Sequence, residues 1–190
     1  MSYCVFRSDL MSGTDVAADL VSCRVYDTDE ETPIAVENGT IVELKGYEEG
    51  QREVMKAVLA TADSDLNNCV VIASEEVMYD ERKKNLDEFV NEAGAICRGY
   101  VLRSRNMFSV TKEGFVGSAV PSAAGTAVGI GTGGKFNTSG SGFGTCVAIE
   151  NAGRYTYYVI MIGKTEAAAA AGSGDWWKFR EKESEELWQI

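Results

Sequence analysis

The sequence predicts an α+β fold dominated by antiparallel strands, a small barrel or sandwich-like body with one principal amphipathic helix. Three observations carry that expectation. Apolar side chains alternate with period two near both ends of the body, turn signals rich in Gly and Asn separate short apolar runs, and a single stretch repeats its apolar residues at three- and four-residue steps. With 190 residues, 45% hydrophobic and 25% charged, the chain can bury a sizeable core and is neither collagen-like, coiled-coil nor disordered in composition.

Residues 1–18 read as an N-terminal arm, because Tyr3, Val5, Phe6, Leu10 and Met11 give way to Gly13 and Thr14 without a continuous pattern. From 19 to 164 the chain reads as a β-rich body. LVSCRVYD at 20–27 has the alternation of a half-buried strand, and Asn38-Gly39 between the apolar runs 34–36 and 40–44 signals a hairpin. Residues 51–60 fit both a strand and a short helix, with strand favoured, and CVVIA at 69–73 is a buried run of strand length. The helix is expected at about 80–97. There Leu86, Phe89, Val90, Ala93 and Ile96 form a stripe, Asp80 can cap the start and Gly99 follows as a stop.

YVLRS, MFSVT and GFVGSAV return to strand character, after which glycines crowd residues 118–144. That region is either tight β-turns between very short strands or a surface loop. TCVAIE and RYTYYVIMIG read as a hairpin about 151–153. The second arm is apolar or aromatic on both faces and so is placed centrally. Residues 165–190 read as an Ala- and Gly-rich spacer and a tail carrying all three tryptophans; a native tail and an appended segment both fit the Gly-Ser-Gly junction.

The chemistry is narrowly bounded. No histidine is present, which removes His-activated nucleophiles and His-ligated zinc or haem. A net charge of -11 argues against nucleic acid as a partner, and Arg82, Lys83 and Lys84 are flanked by acids as on a solvated face. No apolar run is long enough to span a membrane, and the start lacks the pattern of an export signal, so neither membrane nor secretion is expected. Five dispersed cysteines without a CxxC pair suggest reduced thiols. Cys69, Cys97 and Cys146 are expected to be buried, and Cys4, on the arm, the most accessible.

GIGTGG at 129–134, followed by Lys135, matches the start of a phosphate-binding loop. Phe136 replaces the needed hydroxyl and no helix pattern follows, so a turn-rich loop is the reading. The acid runs at 27–31, 75–76 and 80–81 sit at turns or at the expected helix start, and DTDEE lacks the glycine and final glutamate of an EF-hand. No catalytic residues, metal ligands or cofactor are expected.

Three stretches, VFRSDLMSGT, EEVMYDERKKNLDEFVNEAGAICRGYVL followed by MFSVT, and GTCVAIENAGRYTYYVIMI, resemble head decoration (capsid cement) proteins of tailed phages and prophages of Gram-positive bacteria. The resemblance covers roughly residues 3–163, and VMYDERKKNLDEF and GRYTYYVI are its most specific parts. It implies a non-enzymatic virion protein on the outer capsid surface, made in the host cytoplasm, that bridges subunits of the major capsid protein lattice. A homo-oligomer, such as a trimer on the capsid, is open, and another virion component such as a tail-tube subunit is the alternative. On this reading Tyr3, Val5 and Phe6 bind the capsid by adding a strand to an exposed edge, unless the arm folds back on its own body.

Overall fold

The computed structural model describes residues 2–7, 19–80, 82–83, 85–140 and 142–163; the spacer, the tail and most of the expected arm lie outside them. The half-buried alternation at 20–27 becomes β1 (Leu20–Tyr26), which lies parallel to β3 (Gln51–Leu59). Antiparallel pairing then carries the sheet from β3 to β2 (Ile41–Glu48), to β4 (Cys69–Ile72), to β5 (Cys97–Val101) and back to β1. The result is a closed barrel, in which every one of the five strands has two neighbours.

Period two decides which side chains go inside. Cys23, Val25, Val42, Ala57, Val70, Ile72 and Cys97 form the apolar cluster of the barrel interior. Ile41, Cys69, Val71 and Tyr100, one position out of phase, join a second cluster shared with the other sheet. CVVI is a continuous apolar run for this reason: all four residues are buried, alternate ones in different cores.

The second sheet has the order β6 (Met107–Val110), β10 (Tyr155–Ile162), β9 (Gly144–Ala152), β7 (Ala127–Ile130), β8 (Phe136–Asn137). β10 is paired on both sides, consistent with its two apolar faces, and joins β9 by a turn at Gly153. Aromatic rings fill the space between sheet and barrel: Phe6 stacks on Phe108 at 5.3 Å, Phe108 meets Phe136 at 5.8 Å, and Phe136 meets Phe143 at 5.5 Å.

The glycine-rich region resolves as turns between very short strands. In GIGTGGK, Gly129 and Ile130 belong to β7 and Thr132–Gly134 is a 3-10 turn. Gly134 has φ +68°, and a Cβ there would collide with the Ile41 carbonyl. This glycine lets the loop press on β2, with its N–H donating to the Ala60 carbonyl at 3.2 Å.

Several expectations are corrected. No α-helix occurs among the described residues; in place of a helix at 80–97 there is a 3-10 turn, Leu86–Glu88, and Cys97 begins β5. Local polar bonds divert the backbone. Asp80 accepts from the Arg82 N–H (3.0 Å), Glu88 from the Asn85 N–H (2.9 Å), and Asn91 exchanges backbone bonds with Val36. Of the stripe, Leu86 and Ile96 are exposed, whereas the polar Asp87 is buried. Asn38-Gly39 makes a turn but no hairpin, because Val36 bridges Asn91 instead of pairing with β2. GFVGSAV forms 3-10 turns, not a strand.

Where it is described, the arm folds back on its own body. Residues 2–7 lie along the free edge of β6: Phe6 bridges Val110, the Arg7 N–H donates to the Ser109 carbonyl (3.0 Å) and the Thr111 N–H to the Val5 carbonyl (3.2 Å). Cys4 is buried as well, its thiol packed beside Gly39 and Gly114.

Candidate functional site

Phe89, Val90 and Ile96, three of the five apolar residues that would have lined a helix, lie along a surface groove of about 690 Å³. One wall is the extended segment after β4, with Val77, Met78 and Tyr79; the other is the stretch before β5, with Phe89, Val90 and Ile96. Val77 is 54% exposed, Tyr79 94% and Ile96 53%, so a cluster of large apolar groups meets solvent here.

A single buried amide ties the walls together. Asn38 donates from Nδ2 to the Ser74 carbonyl (2.8 Å) and to Glu76 Oε1 (3.1 Å). Its Oδ1 accepts from the Ser74 N–H (3.0 Å) and from Asn91 Nδ2 (3.1 Å). Asn91 Nδ2 also donates to the Val36 carbonyl at 3.1 Å. On the far side the Arg98 N–H donates to Ser74 Oγ at 3.1 Å, and Arg98 pairs with Glu75 at 3.2 Å. The groove is therefore held by bonds to the barrel rather than by regular secondary structure.

Its rim is mainly acidic. Glu75, Asp80 and Glu92 line it against Lys83. The Arg82 guanidinium bonded to Asp80 holds that carboxyl below its ordinary range. The surface is suited to an extended polypeptide that brings apolar side chains flanked by cations.

The residues expected to bind a capsid are elsewhere. Val5 is 2% exposed and Phe6 3%, both in the chain's own core, and Tyr3 is half-buried beside a smaller hollow shared with Val36, Val90 and Lys135. Glu37 receives the Cys4 N–H at 2.7 Å while pairing with Lys135 at 3.2 Å, and the Tyr3 N–H donates to the Asp87 carbonyl at 2.9 Å. Asp87 in turn accepts from Tyr155 Oη (2.9 Å) and Arg154 Nη2 (3.0 Å). Sequence reasoning missed Asn38 and Asn91 as the organising pair. The available signal was an Asn-Gly turn, which speaks of backbone and not of the amide's long-range partners.

Among the described residues no cluster of His, Cys, Asp or Glu suits a metal ion, and no helix is long and apolar enough to cross a membrane. Protein-family models, curated proteins and solved structures give no match to the chain.

Proposed function

We propose that the chain is a non-enzymatic virion structural protein that decorates the outer surface of a phage capsid and bridges neighbouring major capsid subunits. The observation that supports it is the open apolar groove fixed to a β-rich body by Asn38, a surface that a lone chain leaves uncovered. The resemblance of the sequence to decoration proteins supplies the partner. The groove, rather than Tyr3, Val5 and Phe6, takes an extended capsid segment, since Val5 and Phe6 are buried against the chain's own sheet and the Tyr3 N–H is bonded to the Asp87 carbonyl.

Cryo-electron microscopy of heads mixed with the protein tests this. Density should appear on the shell with the natural chain and be lost with a Val77→Asp, Ile96→Asp double variant that still folds. An undecorated shell under both conditions would overturn the reading, and hexameric rings formed without capsid would favour a tail-tube subunit.

A further inference from the structure

Cys23 and Cys97 stand directly opposite one another where β5 pairs back onto β1 to close the barrel. Both are free thiols, both are buried and both belong to the interior apolar cluster. Directly opposed residues of an antiparallel pair have Cα atoms about 4.5–5.5 Å apart, within the span of about 4.4–6.8 Å that disulfides occupy. The sulfurs have only weak contacts, the Ser74 hydroxyl at Cys97 among them. Cys97 Sγ makes a long contact of 3.7 Å to the Ala95 carbonyl, and Cys23 Sγ lies over Gly99, where a Cβ would stand 3.6 Å from it. Cys97 is also the first residue of β5. A surface hollow of about 320 Å³, lined by Ser22, Ser74, Ile96, Cys97 and Arg98 among others, borders Cys97 but not Cys23.

We propose that Cys23 and Cys97 are a disulfide-forming pair that reacts with a low-molecular-weight disulfide of the oxidised-glutathione class and staples the barrel closed. The Cys97 thiolate attacks one sulfur of the reagent, its S–S bond breaks and one thiol leaves. Cys23 then attacks the Cys97 sulfur, and its proton passes to the second reagent sulfur as that leaves as a thiol. Two protein thiols are oxidised by two electrons in total, and the reagent is reduced to two thiols. Cys97 reacts first because it lines the hollow. Burial raises both thiols, and a Ser74 hydrogen bond opposes it at Cys97, leaving that group at about 11 while Cys23 stands at about 12. The assignment is independent of the capsid reading.

The full chain is incubated natively with oxidised glutathione, quenched, unfolded, alkylated and mapped by mass spectrometry. A single cross-linked species joining the Cys23 and Cys97 peptides, lighter by two hydrogens, is expected, with Cys69 and Cys146 still alkylated as internal controls. A Cys23→Ser chain should retain one glutathionyl group on Cys97, and a Cys97→Ser chain should leave Cys23 alkylatable. Full alkylation of both thiols after prolonged reaction, separate glutathionyl groups on each, or a cross-link to another cysteine would overturn the proposal. Should a serine variant misfold, the map of the natural chain decides alone.

Discussion

At the scale of single residues, Asn38 does more than its turn position suggests. It is 2% exposed and satisfies backbone or side-chain groups of Ser74, Glu76 and Asn91 at once. Asn38→Ala leaves buried partners unpaired and should cost about 2–3 kcal/mol in urea denaturation while loosening the groove. The thiols give a second expectation. Burial holds Cys4, Cys23 and Cys69 at about 12 and Cys97 at about 11, against an ordinary 9.0. An unfolded chain ionises these groups from about pH 9, before the folded one does. Their contribution is therefore whole below about pH 9 and is lost as pH rises through the folded values. Urea midpoints should fall between about pH 9 and pH 11, and less steeply in Cys69→Ala; midpoints flat over that window would contradict the account.

At the scale of elements, Phe6 and Phe89 separate what is core from what is surface. Phe6→Ala removes a ring stacked on Phe108 and should cost about 3–5 kcal/mol, whereas Phe89→Ala, on a half-buried groove residue, should cost about 1 kcal/mol or less and act on partner binding instead. Paired thermal melts and binding assays distinguish the two. The same contrast shows what the sequence could reveal. β1, β4 and the β9–β10 hairpin were legible because their own alternation, length and turn glycine specify them. The stripe at 86–96 is real, but turns at Asn85 and Gly94 and the bridge from Asn91 to Val36 divert the backbone and leave Phe89, Val90 and Ile96 along a groove instead of under a sheet. Burial of Val5 and Phe6 depends on Ser109 and Val110, partners no local pattern can announce.

At the scale of the molecule, the barrel keeps one apolar cluster to itself and shares a second with the sheet, and three of the four most exposed large apolar residues described, Val77, Tyr79 and Ile96, lie in the groove. A cement contact that engages two subunits together gains avidity only on an assembled shell. Sedimentation should show binding to heads and little to dispersed capsid subunits, with Val77→Asp and Ile96→Asp weakening it by about 100-fold or more if both contacts depend on the groove. Equal binding to shells and subunits would refute the bridging mechanism.

The position of residues 2–7 on the edge of β6 constrains how the chain is made as well as how it stands. Val5 is 106 residues upstream of Thr111, whose hydroxyl receives its N–H. On a ribosome this segment leaves the exit tunnel before the barrel strands and has no docking edge until β6, flanked by the still later β10, has followed. The barrel strands, complete by Val101, can close in the meantime, while an apolar Cys-Val-Phe peptide waits in solvent. Synthesis thus passes through an interval in which the barrel can be formed while the earlier-made segment lacks its edge. Emergence of β6 and β10 ends that interval, and truncation anywhere before β6 would prolong it and invite aggregation.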